Sequence, residues 1–463
     1  MKRFGWRLLA VSSVIAGALA AAALAGAAET RPQYGGTLHV AMQAAPASLD
    51  PAESTPPDSF ARRSLTMLMF DTLVTTDESG RVQPALATSW APLNQAGNQR
   101  WQFRIRRGVK FTDGTPLSAE IAAASLRTAN PAWNVSADAD TVVIERAEFE
   151  TELLAELAQP RNAVAKRNPG DAPSGTGPFH VVDWQAGKKL TLAAYENCWR
   201  GRPFLDTIEI EMGENFREQM TALEVGTADL VEVAPERAHG ISRAGRRLAS
   251  SAPLELLALV FNRDIASPEE KLLREALAWS IERSSIRSVL LQGAGEPAAS
   301  ILPNEMSGYG FVFSADADLA RARQAREQVH GKPVWSLGYD ANDPLERLLA
   351  ERIALNAKDA GLTLQPTPSA NADLRLVRIP LASPDPWVAL ADVARLSAAP
   401  AGKTGGSIEE LYSAERAVLA TQRVIPLFHL PVSYAASAAL RDWALRPDGS
   451  WALADAWLGS GKP

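Results

Sequence analysis

The chain of 463 residues is almost without cysteine: Cys198 is the single one. An internal disulfide is therefore excluded, and no cysteine lies near the N-terminus to carry a lipid. Histidine is scarce as well. His39, His180, His239, His330 and His429 never approach one another at a metal-binding spacing, and each reads as a surface or strand-edge residue. Beyond the N-terminal segment no uninterrupted apolar run approaches about eighteen residues, the length a membrane-spanning helix needs. A basic stripe is missing too, and the formal net charge of −6 argues against nucleic-acid binding. Catalytic signatures are absent in the same way. There is no G-x-S-x-G elbow. Gly402-Lys403-Thr404 resembles the end of a phosphate-binding loop, but Ser397 stands where that motif needs glycine. Paired carboxylates are uninformative, because 53 acidic residues offer too many pairs. The expectation is a protein with no catalytic residue, no metal site and no cofactor.

What is present begins at the N-terminus. Lys2, Arg3 and Arg7 precede an apolar run from Leu8 to Ala25, followed by small residues and Glu29. This order describes a secretory signal peptide over residues 1–28, with cleavage after Ala27 or Ala28. An uncleaved anchor is the competing reading; the dominance of weakly hydrophobic alanine favours cleavage. Loss of the three basic residues would make the remaining chain about three charges more negative. A soluble, exported, periplasmic protein of about 435 residues is expected, long enough for two domains or more.

Strand and helix signals alternate along the chain, which points to an α/β fold. Gly36 to Met42, Trp101 to Ile105, Thr207 to Met212 and Leu374 to Ile379 read as strands. Ser267-Pro268-Glu269-Glu270 is a capping box that predicts a helix to about Gln292, with Leu273, Leu277 and Ile281 on one face and Gly293 as the stop. Asp343-Pro344-Leu345-Glu346 repeats the start signal, with Leu345, Leu348, Leu349 and Ile353 facing inward and Gly361 ending the helix. Both helices read as structural. Residues 366–372 and 398–407 are loop-like in composition. Of the twelve tryptophans, Trp184, Trp199 and Trp387 lie beside turns, where aromatic rings serve either a ligand cleft or the core.

A series of motifs carries a resemblance. Gly35-Gly36-Thr37-Leu38 is followed by Ser48-Leu49-Asp50-Pro51, then Phe70-Asp71-Thr72-Leu73-Val74 and the run from Val82 to Trp90. Next come Phe103 to Gly114, Gly175-Thr176-Gly177-Pro178-Phe179, Trp199-Arg200-Gly201-Arg202-Pro203, and Phe261-Asn262 leading to Arg274-Glu275-Ala276-Leu277 and Ile281-Glu282-Arg283. In this order the chain resembles the large periplasmic binding proteins of ABC importers that carry oligopeptides, dipeptides and nickel complexes, extracellular solute-binding protein family 5. The resemblance implies a two-lobed, hinged α/β fold. One lobe would comprise residues 33–256 with 425–463, the other residues 257–424. It also implies capture of a small-molecule solute, delivery to an inner-membrane ABC permease, and action as a monomer. A sensor that binds solute without feeding a transporter remains the alternative.

Most of these motifs read as scaffold. Gly175 and Gly177 around Thr176 would permit a backbone turn that a Cβ would obstruct, with Pro178 stiffening the exit. The segment Ile379 to Pro386 resembles the family's ligand-contacting loop, and it places Ala382 where the resemblance assigns an aspartate for a peptide's α-amino group. Ordinary capture of free-N-terminus peptides is therefore not expected. In the same loop Asp385 and Trp387, stiffened by Pro384 and Pro386, are the expected ligand contacts, with Asn262 at the lobe crossing either reaching a ligand or satisfying hinge backbone. The regions around residues 129–138 and after Trp387 look shorter than in most relatives.

Overall fold

The computed structural model describes residues 31–53, 60–77, 79–93, 100–146, 153–168, 172–310, 312–381, 383–399 and 405–459. The signal-peptide segment, Ala382 and Gly402-Lys403-Thr404 lie outside them.

Strand alternation builds the main sheet. In Thr207–Met212 the apolar Ile208, Ile210 and Met212 are buried while Thr207, Glu209 and Glu211 face the other side. Thr37–Met42 pairs with it in parallel, with Leu38, Val40 and Met42 in the same core. Among the described residues the sheet has eleven strands. One end is formed by Phe179–Gln185, Lys189–Ala194, Thr207–Met212, Thr37–Met42 and Leu230–Val233; the other by Leu374–Pro380, Val334–Gly338 and Thr363–Thr367. Two long strands, Arg247–Phe261 and Val424–Ala436, join the ends. Each end has its own apolar core, and the two cores share no residue, so the molecule is a mixed α/β, two-lobed fold.

A separate four-stranded sheet, in the order Ala87–Pro92, Arg100–Ile105, Thr141–Glu145, Asn134–Asp138, extends the first lobe. The helix Ala119–Ala129, capped by Ser118, packs Ala122, Ala123 and Leu126 against it. The residues following that helix, 134–138, form the sheet's edge strand.

The helix starts follow their caps. Ser267 accepts from the Glu270 N–H, and Asp343 accepts from the N–H groups of Leu345 and Glu346. The Glu270 carboxylate does not return to Ser267; it accepts from Ala266 N–H, Arg263 and Arg274 instead. The helix expected to reach Gln292 is broken into Pro268–Ser280 and Arg283–Val289. At the break Ile281 is extended and fully buried, the Glu282 N–H donates to Asn356 Oδ1, and the Arg283 guanidinium donates to the Pro426 carbonyl. Tertiary partners thus take over from the helix ladder. Leu348, expected inward, is 48% exposed. Pro366 belongs to the strand Thr363–Thr367 rather than to a loop.

Several motif blocks converge on one buried carboxylate. Asp71 accepts from Thr176 Oγ1 at 2.8 Å and from Trp199 Nε1 at 2.9 Å, and pairs with Arg200 at 2.9 Å. Gly175 and Gly177 lie against the Leu68–Met69 backbone, where a Cβ would stand 1.9 Å and 2.5 Å from Met69 backbone atoms.

Candidate functional site

The two connecting strands are hydrogen-bonded to each other as well as to their lobes. Residues 247–250 pair with 433–436 at the first lobe, and 255–260 pair with 424–430 at the second. Between them the register shifts at Ser250/Pro253 and Pro253/Glu255, with Pro253 opposite Pro431. Proline has no N–H to give, so the ladder is interrupted there. Side chains substitute: Ser251 Oγ accepts from the Val432 N–H at 3.0 Å, and Ser250 Oγ lies 2.8 Å from Ser433 Oγ.

A cavity of about 820 Å3 sits at this crossing. The first lobe contributes the loop 43–48, Phe216 and Glu232; the crossing contributes Glu255 and residues 431–434; the second lobe contributes Asp340, Arg378 and Pro380.

Its charged lining comes from both lobes and from the crossing: Glu53, Arg62 and Glu232, Glu255, and Asp340 and Arg378. Arg378 reaches Glu255 at 3.1 Å, Asp343 at 3.0 Å and Glu346 at 3.5 Å. Burial pushes the Glu346 carboxyl up to about 7, although Arg378 opposes the shift. Glu232 projects from Leu230–Val233, directly opposite Tyr434 in the sheet register, so both side chains share one face. Its Oε2 accepts from the Gln43 N–H at 2.5 Å and from Gln219 Nε2 at 3.1 Å. Burial raises its proton affinity, and the nearby Glu255 adds to the effect. Glu236, in the first turn of the helix Pro235–Arg243, is raised for the same first reason, and its Oε2 is buried with no hydrogen-bond partner among the described residues.

A second bridge between the lobes lies away from the strands. Arg161 of the first lobe donates to Asp392 of the second at 3.0 Å and is held from behind by Glu156, with all three side chains at most 21% exposed.

None of the three residues expected to contact ligand lines this cavity. Trp387 is 7% exposed and packs with Leu256, Ala258, Ile301 and Leu390. Asp385 caps the helix Pro386–Leu396, accepting from the N–H groups of Trp387 and Val388. The Asn262 side chain donates to the Ala372 carbonyl, and its own N–H donates to the Asp373 carbonyl at 3.0 Å. Loop stiffness therefore serves helix capping and core packing. His429, expected at the surface or a strand edge, is paired on both sides in the sheet and 3% exposed, its Nε2 is 3.0 Å from the Ile301 carbonyl, and burial lowers its pKa to about 4. Among the described residues no group of three or more His, Cys, Asp or Glu is placed to hold a metal ion.

Sequence reasoning missed Glu232, Glu255, Arg378 and Tyr434. A signal existed: the first three are charged residues inside otherwise apolar strands, as in Leu-Val-Glu-Val at 230–233 and Leu-Arg-Leu-Val-Arg-Ile at 374–379. A charge at such a position needs a partner or a polar cavity.

Residues 81–378 match the family model described as Bacterial extracellular solute-binding proteins, family 5 Middle. Nickel-binding protein NikA of Staphylococcus aureus is 24% identical over 318 residues, 64% of this chain and 63% of that protein. Oligopeptide-binding protein AppA of Bacillus subtilis is 24% identical over 58% of this chain and 54% of its own length. The matched region thus spans somewhat under two thirds of these curated relatives. Among solved structures, AppA from Bacillus subtilis in complex with a nonapeptide superposes with a TM-score of 0.79 at 18% identity, covering 93% of this chain and 100% of that one. NikA from Staphylococcus aureus in complex with Ni(L-His)2 gives 0.76 at 17% identity, covering 89% and 97%.

Proposed function

Because the chain belongs to family 5 of the bacterial extracellular solute-binding proteins, we propose that it is the monomeric, exported binding component of an ABC-type importer, holding a small solute between its lobes without chemical turnover. The observation that carries this reading is the cavity of about 820 Å3 at the strand crossing, lined by both lobes and by the crossing itself. A volume in that range suits a small organic molecule. A ligand touching both walls binds the closed arrangement better than any open one, and that difference in affinity is what shifts the population towards closure. A membrane permease then has a closed shape to recognise. The paired prolines Pro253 and Pro431 mark the flexing point. The named relatives bind nickel complexes and peptides, so peptide-like solutes and metal chelates are the classes to try first.

The test uses mature protein from the periplasmic fraction. Native mass spectrometry should find a non-covalent small molecule on it. Removing that molecule should increase the radius of gyration in X-ray scattering, and adding it back should reverse the change. A radius indifferent to every solute, or a bound solute that is chemically consumed, would overturn the proposal.

A further inference from the structure

The wall of the cavity holds more negative than positive charge, and its hydrogen-bonding capacity is only partly used. Arg62 and Arg378 are the cations among the lining residues; Arg62 donates to the Asp50 and Glu53 carbonyls, and Arg378 is already divided among Glu255, Asp343 and Glu346. Glu232 adds a carboxylate that no described lysine or arginine pairs with at contact distance; its partners are the Gln43 N–H and the Gln219 amide, both on Oε2. Its Oε1 takes no hydrogen bond from a described residue. Glu255 is in the same position, with Arg378 on Oε2 and no described residue hydrogen-bonded to Oε1. Both residues line the cavity, and burial, with the Glu255 charge adding to it, raises the proton affinity of Glu232.

A second observation is independent of the acids. Tyr434 also lines the cavity and is fully buried, yet its hydroxyl has no hydrogen-bond partner. The Trp451 ring packs edge-on against it at 5.8 Å, and its indole N–H approaches the phenol oxygen closely enough to oppose the rise in the phenol's pKa, short of full hydrogen-bond geometry. Tyr434 stands opposite Glu232 in the sheet register, and both line the cavity together with Glu255. A buried hydroxyl without a full partner is unfavourable, and its retention in a ligand cavity points to a donor to its oxygen that arrives with the ligand.

We propose that this wall seats a compact organic cation, a primary ammonium or a guanidinium, between the open oxygens of Glu232 and Glu255 and beside the Tyr434 hydroxyl. The proposal rests on the solute-binding reading and specifies the class of solute. An ammonium has three donors and no acceptor, so it can donate to both carboxylates and to the phenol oxygen, while the phenol proton turns to a carboxylate. Arg378 keeps Glu255, Asp343 and Glu346 in place and leaves the net negative charge for the ligand. Burial keeps a proton on Glu232 more readily when the cavity holds no cation, so cation entry is accompanied by proton release.

Two measurements test this. In the first, agmatine, spermidine and an acetyl- and amide-blocked alanyl-lysyl-alanine are titrated calorimetrically against neutral counterparts, among them the same peptide with norleucine for lysine. The cationic members should bind at least about tenfold more tightly, the scale of a charge-assisted hydrogen bond. Glu232→Gln should remove most of that preference without lowering the melting temperature, because glutamine still accepts from Gln43 and Gln219. Tyr434→Phe should weaken the same binders several-fold. In the second, the ligand-free protein is incubated with a small-molecule cell extract and the captured solutes are identified by native mass spectrometry. Captured solutes that are all neutral or anionic, or cationic binding unchanged in Glu232→Gln, overturn the cation proposal and leave solute binding standing. No binder in either measurement overturns both.

Discussion

At Arg378 four side chains share one ion-pair cluster, and the geometry decides how it responds to pH. The groups facing Glu346 are Arg378 at 3.5 Å, the Asp340 N–H at 2.9 Å, and the carboxylates of Asp340 and Asp343. Burial is the largest influence and outweighs the arginine, so the folded protein holds a proton on Glu346 up to about pH 7. In the unfolded chain the proton leaves in the ordinary glutamate range. The folded form therefore binds more protons across that window. This contribution to stability is fully present below the unfolded value and is lost as pH rises through about 7. Glu346→Gln removes the titration. Its stability relative to the wild type should improve by about 1–3 kcal/mol between pH 5 and pH 8. Urea unfolding of both proteins at a series of pH values measures it; a difference constant with pH would show that Glu346 is ionised throughout.

The segments around Asp71 show how separate elements are fixed to one another. Gly175 and Gly177 need no unusual backbone angle; they are glycines because the end of the helix Phe60–Met69 passes through the space of their missing side chains. Backbone cannot yield as a flexible side chain would. Gly175→Ala should cost about 3 kcal/mol or more, read as a lower urea midpoint. An alanine variant within about 0.5 kcal/mol of the wild type would mean that the two segments separate easily. That a Cβ would not fit at these glycines was legible in the sequence, although the expected reason was a turn and the actual one is the passing helix end; the strands with strict alternation and the helix starts at Ser267 and Asp343 were legible as well. Each depends on local pattern, which a chain carries in full. The break at Ile281 was not legible, because Ile281 continues the spacing of Leu273 and Leu277 while Asn356 and Pro426, distant in sequence, dictate the turn. The cavity was hidden for a similar reason. Asp385 and Trp387 stand out in a proline-rich loop, whereas Glu232, Glu255 and Tyr434 lie on separate strands that only the sheet register brings together. Asp343 and Glu346 announced a helix start, and that reading missed the pairing of both with Arg378.

At the scale of the whole molecule, the Arg161–Asp392 bridge holds the lobes together without a ligand. Its three members are largely shielded from water, so the interaction is screened less than a surface pair. Asp392→Asn leaves Arg161 its Glu156 partner, and no buried charge is stranded. The variant should be more open when ligand-free, with a larger radius of gyration, and should bind solute about three- to tenfold more weakly at an unchanged melting temperature. Scattering and calorimetry together check this; identical radii would show that the bridge contributes nothing to closure.

The hydrogen bonds between the two connecting strands have a mechanical consequence. Two unpaired linkers would act as a loose tether, free to swivel and slide. A bonded ribbon is a leaf spring: it flexes out of its own plane through small dihedral adjustments, whereas in-plane shear would rupture the bonds between residues 255–260 and 424–430. The proline pair Pro253 and Pro431, where the ladder is already interrupted, thins the spring at its midpoint and concentrates the flexure there. The lobes then have essentially one permitted swing, and each return stroke brings Glu232 and Arg378 back into the same alignment.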